Sequence, residues 1–224
     1  PLNALSMSVQ TLRRRLDPAA DERNRNALAV LDEESRRLNR LVEDLLVYAR
    51  PVQLHREPVA LPPLLERIRR MFVETADRQG IRLRVDTAEA APRFTADEDQ
   101  LLRVLINLVQ NAIDNLEGGG EITLGWARED NHLLLEVVDT GPGFTPEALQ
   151  RALEPFYTTR RQGTGLGLSL SAEILKAHGW QLALANRPGG GAMVTVTVPA
   201  SDLLEVPAGG STPAAPLTET KGEG

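Results

Sequence analysis

Leu5, Val9, Leu12 and Leu16 recur at steps of four, three and four, and after the Asp17-Pro18 break a second apolar stripe runs through Leu31, Leu38, Leu41, Leu45 and Tyr48. Such spacing gives a helix one apolar face, so residues 1–50 are predicted to form a helical hairpin. Its arms are unequal. Residues 1–16 would span about 24 Å and residues 21–49 about 43 Å at 1.5 Å per residue, so the first arm is expected to lack several turns at its N-terminal end. A lone hairpin buries its stripe poorly, and two copies paired into a four-helix bundle bury it well. A homodimer through this segment is expected.

Pro51 should end the second helix, and residues 51–60 read as a linker, because proline lacks a backbone donor and restricts the residue before it. A second domain is expected over residues 61–200. Pro62 to Gln79 is amphipathic and closed by Gly80, and Ile81-Arg82-Leu83-Arg84-Val85 alternates as a half-buried strand does. Asp97 to Leu116 is a second helix, with acidic residues at its positive end and Gly118-Gly119-Gly120 beyond it. Strands are predicted at Glu121 to Ala127 and His132 to Asp139, joined by a turn at Glu129-Asp130-Asn131. A loop over Thr140 to Gly167, a helix over Ser169 to His178 and strands near Leu182 to Ala185 and Ala192 to Val198 follow. The fold class is therefore α+β: a helical hairpin, then a two-layer α/β sandwich with helices on one face of a mixed sheet. Residues 201–224, rich in Pro, Gly, Ala and Thr, read as a disordered tail.

Composition narrows the function classes. The 224 residues are 42% hydrophobic and 25% charged, and no apolar run approaches the roughly 20 residues of a membrane-spanning helix. No membrane contact is expected in this segment, and a cytoplasmic location fits it whether or not the parent protein is anchored. The first residues, Pro1-Leu2-Asn3, lack an initiator methionine and a signal pattern, so the natural protein is expected to extend upstream. A net charge of −6 argues against a nucleic-acid surface, which needs a basic stripe. With no cysteine and only Lys176 and Lys221 as lysines, phosphate chemistry here must use arginine, backbone amides or a metal.

Three motifs carry candidate chemistry. Asn107 and Asn111 lie one helical turn apart, with Asp114 close to the same face. A neutral Asn carbonyl suits Mg²⁺ already surrounded by phosphate oxygens, although an exposed polar stripe would look the same. Asp139-Thr140-Gly141-Pro142-Gly143 follows an apolar strand, and its carboxylate could accept from an exocyclic amine while Gly141 and Gly143 admit a base; an acidic turn is the alternative. Gly163-Thr164-Gly165-Leu166-Gly167-Leu168 precedes a helix, where free amides and the helix dipole favour an anion, although a flexible glycine loop shares that composition. Leu168 stands where a dinucleotide motif needs its third glycine, and no Lys-Ser or Lys-Thr follows as in a P-loop.

Taken in order with Pro155-Phe156-Tyr157-Thr158-Thr159-Arg160, these motifs resemble the N, G1, F and G2 boxes of the sensor histidine kinases, over about Leu61 to Pro199. Pro1-Leu2 likewise resembles the end of that family's phosphoacceptor box. The resemblance implies a Bergerat-type ATP fold of the GHKL class, with ATP and Mg²⁺ as cofactors. It puts Asn111 on Mg²⁺ with Asn107 and Asp114 nearby, and Asp139, Gly141 and Gly143 on the base. Gly163, Thr164, Gly165, Leu166, Gly167 and Leu168 would line the phosphates under a lid over residues 145–162, in which Phe156 anchors to the hairpin and Thr158, Arg160 and Arg161 approach the nucleotide. Arg160 or Arg161 is the candidate for γ-phosphate charge, since no lysine lies in these motifs.

The implied activity is protein-histidine kinase, with the γ-phosphoryl group passing to a histidine and then to a response-regulator receiver domain. Another GHKL ATPase, an anti-sigma-type kinase or a nucleotide-binding scaffold without transfer remain the alternatives. His55 in the linker, His132 in a turn and His178 at a helix end are expected at the surface. The resemblance puts the acceptor and its acidic neighbour just before Pro1, so this chain is expected to bind ATP without phosphorylating itself.

Overall fold

The computed structural model describes residues 30–31, 35, 53–86, 92–160 and 163–204. The hairpin expected over residues 1–50 lies outside the described residues except at Val30, Leu31 and Ser35, which are helical.

The described chain runs β1 (Glu57–Ala60), α1 (Leu61–Arg78), β2 (Ile81–Val85), β3 (Arg93–Ala96), α2 (Glu98–Asn115), β4 (Gly120–Glu129), β5 (His132–Asp139), α3 (Pro146–Arg151), α4 (Gly167–His178), β6 (Gln181–Asn186), β7 (Ala192–Val198), a 3-10 turn (Ala200–Asp202) and β8 (Leu203–Leu204). The main sheet has the order β2-β4-β5-β7-β6, with β2 and β4 parallel and the other neighbours antiparallel. Leu133, Leu135 and Val137 of β5 and Val194, Val196 and Val198 of β7 are buried, while the residues between them are half-buried. The apolar face meets Leu101, Val104, Leu105 and Leu108 of α2, Ile174 and Leu175 of α4, and Leu64, Leu65 and Ile68 of α1 in one core. A one-residue slip of β5 would turn its three core side chains outward at roughly 1.5–3 kcal/mol each, so the alternation pins the register.

Local signals set the helix ends. Pro62 and Pro63 occupy the first turn of α1, where the missing N–H costs nothing. Asp97 caps α2 by accepting from the Gln100 N–H at 3.0 Å, and Gly179, at φ 81°, ends α4 in the left-handed conformation that glycine adopts freely.

Four expectations need correction. Residues 57–60 of the supposed linker are strand β1, paired antiparallel with β3, and residues 201–204 of the supposed tail complete the same small sheet through β8. Both segments are too short to show periodicity alone and exist by pairing with β3. The loop expected over 140–167 contains α3, started by Thr145, whose hydroxyl accepts from the Ala148 N–H at 3.1 Å, with Pro146 next. His178 is not at the surface: it is 3% exposed. Its Nδ1 bonds the Ile174 carbonyl at 2.9 Å and its Nε2 accepts from the Asp97 N–H at 3.1 Å. These partners require the neutral ring with the proton on Nδ1.

This corner fastens the end of the supposed linker to the domain. The His55 N–H donates to Asp97 Oδ2 at 2.8 Å. Arg56 donates to the His178 carbonyl and to Asp202, which also accepts from Trp180 Nε1 at 2.6 Å. Asp97 opens α2 and His178 closes α4, so the two helices run antiparallel and residues 55–56 grip the ends of both.

Candidate functional site

The opposite ends of those helices hold the motif residues. Asn107 Nδ2 donates to Ser171 Oγ at 3.0 Å, and a Cβ at Gly167 would stand 2.2 Å from Asn107 Oδ1. Glycine at 167 thus lets the start of α4 lie directly on the Asn107 amide. Asn107 braces the two helices here. The first-turn amides of α4 receive no side-chain cap, so they are free to serve an anion. The side chain of Leu166 is buried and that of Leu168 packs against the core, which leaves only the backbone of both for such contact.

One turn beyond Asn107, Asn111 meets Arg160. Arg160 Nη1 lies 3.2 Å from Asn111 Oδ1 and 2.6 Å from Asp114 Oδ2, and Nη2 lies 2.6 Å from the Asn111 carbonyl. Gln110 Nε2 donates to the other Asp114 oxygen at 2.6 Å. Burial pushes the Arg160 guanidinium below its ordinary range, and the Asp114 charge opposes that shift. Arg161, the other expected phosphate arginine, lies outside the described residues.

Asp139 ends β5 and is 5% exposed. Its Oδ1 accepts from the Gly141 N–H at 2.8 Å and the Ala192 N–H at 3.2 Å, leaving Oδ2, among the described residues, as the oxygen available to a further donor. A Cβ at Gly141 would stand 3.0 Å from Asp139 Oδ1 and 3.3 Å from the Asn115 carbonyl. The strand-end carboxylate and the helix carrying Asn111 are therefore neighbours. Gly143, at φ 76°, supports the turn.

Two residues that sequence reasoning missed hold this loop. Asn186 Oδ1 accepts from the Phe144 N–H at 2.7 Å and its Nδ2 donates to the Phe144 carbonyl at 2.8 Å. Gly191 lies under the strand end, where a Cβ would fall 2.0 Å from the Asp139 carbonyl oxygen. An Asn ending a strand before the Arg187-Pro188-Gly189 turn was the visible signal for the first. The second sat inside a glycine run that names no partner.

Between α3 and α4 the described residues bond to one another. Phe156, at φ 67°, donates its N–H to the Gly165 carbonyl at 2.9 Å, and Gly165, at φ 68°, admits that approach because its Cβ would meet Phe156 backbone at 2.4 Å. Phe156 is 63% exposed. A left-handed L-residue costs about 1–2 kcal/mol, and here the strain aims an aromatic ring at solvent. Thr158 Oγ1 accepts from the Arg160 N–H at 3.1 Å, and the Gly163 N–H reaches the Arg160 carbonyl at 3.3 Å. The Leu166 N–H bonds Thr164 Oγ1 at 3.3 Å.

Residues 96–202 match the family model described as histidine kinase-, DNA gyrase B- and HSP90-like ATPase, and residues 1–54 match that of the His Kinase A phospho-acceptor domain. The alginate biosynthesis sensor protein KinB of Pseudomonas aeruginosa is 32% identical over 89% of this chain and 34% of its own length. The sensor histidine kinase ZraS of Salmonella typhi is 34% identical over 81% of this chain and 39% of its own. The chain thus spans between a third and two fifths of these relatives. Among solved structures, full-length ShkA in complex with AMPPNP superposes with a TM-score of 0.74 at 28% identity, covering 89% of this chain and 43% of that one. ThkA in complex with the response regulator TrrA gives 0.70 at 26% identity, covering 89% and 57%.

Proposed function

Because the chain belongs to the sensor histidine kinases of two-component systems, joining a phospho-acceptor segment to an ATP-binding domain, we propose that ATP binds between α2, the 139–143 loop and the start of α4. Asp139 Oδ2 accepts the exocyclic amine of adenine, and Gly141 and Gly143 let the base approach the backbone. The first-turn amides of α4 and the 163–167 backbone cradle the phosphates. The donor set fits Mg²⁺: Asn111 Oδ1 is a neutral hard oxygen, which suits a cation whose charge the triphosphate already balances. The metal would neutralise the phosphates, while Asn107 holds the two helices together around them and Arg160 or Arg161 takes γ-phosphate charge. The protein's contribution is positioning and charge neutralisation as an imidazole attacks.

No histidine occurs in residues 1–54, and none of the three histidines of this chain is proposed as the acceptor. The exposed Phe156 seats the lid on the helical hairpin, the hairpin pairs two copies, and the phosphoryl group passes to the receiver domain of a response regulator on the cytoplasmic side. Among the described residues no helix is long and apolar enough to cross a membrane. The observation that supports this reading is the contact from Asp139 through Gly141 to the Asn115 end of α2, which brings Asp139 beside the helix of Asn111. Asn111→Ala is expected to abolish the rise in melting temperature that Mg²⁺-ATP gives the wild-type chain. A variant stabilised as much as the wild type would remove Asn111 from the site.

A further inference from the structure

Arg160 and a divalent cation want the same oxygen. The guanidinium lies 3.2 Å from Asn111 Oδ1, the atom proposed to face Mg²⁺, and is held there by Asp114 and by the Asn111 carbonyl, each at 2.6 Å. Mg²⁺ needs its ligand at about 2.0–2.1 Å and tolerates little distortion. A metal so placed would press against a fixed positive charge, and the side chain is nearly three-quarters withdrawn from screening solvent, at 28% exposure. Oδ1 has two lone pairs, but filling both with cations sets two positive charges against each other at close range, so each weakens the other there.

The backbone around Arg160 is built to let go. Thr158 Oγ1 bonds the Arg160 backbone and the Gly163 N–H bonds the Arg160 carbonyl, local bonds that do not reach α2, whereas the guanidinium does. Releasing this side chain from α2 breaks no strand or helix among the described residues. The cost of release falls on Asp114, which keeps the Gln110 amide as a partner.

We propose that Arg160 is a gate that competes with Mg²⁺ for Asn111, so that the lid distinguishes nucleoside triphosphate from diphosphate. This inference rests on the Asn111 metal site proposed above. Metal entry displaces the guanidinium in either case. A triphosphate offers it a terminal phosphate as a new anionic partner in place of Asp114, and a diphosphate does not. Mg²⁺-ATP therefore recovers the lost contacts and Mg²⁺-ADP does not. After γ-phosphoryl transfer the guanidinium returns to Asn111 and Asp114 and helps expel the product. Asp114 is thus a positioning residue that parks the lid arginine.

The test is equilibrium binding of ATP and ADP to the full chain across a Mg²⁺ titration, by competition with a fluorescent nucleotide. Arg160→Gln removes the competing charge: the Mg²⁺ midpoint for ADP binding should fall and ADP should bind more tightly, while ATP loses its terminal partner. The ATP-to-ADP preference should drop by about tenfold or more, the worth of one charge-assisted hydrogen bond. Asp114→Asn loosens the parked position only, so both nucleotides should tighten and their ratio should hold. Unchanged or weaker ADP binding in Arg160→Gln, or a collapsed ratio in Asp114→Asn, overturns the gate. A wild-type chain that binds neither nucleotide removes the Asn111 site and the gate with it, whereas loss of binding in Asn111→Ala beside an unaltered Arg160→Gln removes the gate alone.

Discussion

Asp139→Asn separates the two jobs of one buried carboxylate. Oδ1 holds the Gly141 and Ala192 amides at 2.8 and 3.2 Å, and an asparagine oxygen in the same place accepts both. Charge-assisted bonds are about twice as strong as neutral ones, so the folded domain should lose only about 1–2 kcal/mol. That orientation is forced, because turning the amide would aim a donor at two backbone donors. It puts the Asn NH₂ where Oδ2 stood, facing the adenine amine. Binding loses a hydrogen bond to a charged acceptor, worth about 1.5–3 kcal/mol, and leaves two buried donors opposed at a further 1–3 kcal/mol or so. The affinity for Mg²⁺-ATP should fall by roughly 10² to 10³-fold or more, with the melting temperature of the chain lowered by only a few degrees. Because the new donor matches the O6 acceptor of guanine, the preference for ATP over GTP should shrink or invert. Competition binding with both nucleotides and a thermal melt measure all three effects. An Asp139→Asn chain that binds ATP within about threefold of wild type would refute the assignment of this carboxylate to the base.

Phe156→Gly should leave the melting temperature unchanged or slightly raised, because glycine relieves about 1–2 kcal/mol of left-handed strain and little buried area is lost at 63% exposure. Mg²⁺-ATP stabilisation should persist, and a lower melting temperature would show that the ring packs rather than docks. Burial depresses the His178 pKa, reinforced by Arg56 and opposed by the Ile174 carbonyl, Asp97 and Asp202. The unfolded chain therefore takes up the proton first, so this stability is present above the ordinary value of 6.5 and is lost as pH falls toward the depressed folded value. Glu136 works the other way, because burial and then Glu129 raise its pKa, so His178 is isolated by difference. His178→Gln should be less stable at pH 7.5 and should lose less on going to pH 5.5; parallel profiles would exclude His178 as the titrating group.

Periodicity along the chain determined most of the domain: α1, α2, β2, β5 and β7 match their predicted spans to within a residue or so, because their core faces alternate at 3.6 or 2 residues. The order of the motifs likewise named the family, since each box keeps its local residue chemistry. Tertiary structure alone decided β1, β3 and β8, which are four residues or fewer and exist only through one another's hydrogen bonds. It also decided where His178 lies, because a helix-end histidine looks solvated until Trp180 and the 55–56 segment pack over it. Asn186, Gly191 and the Arg160 contact with Asn111 belong to the same class, joining residues 42 to 52 positions apart in the chain. A side chain's own neighbours in sequence fix its backbone preference, but which charge or carbonyl it finally meets depends on how helices and strands are brought together, and no local pattern carries that information.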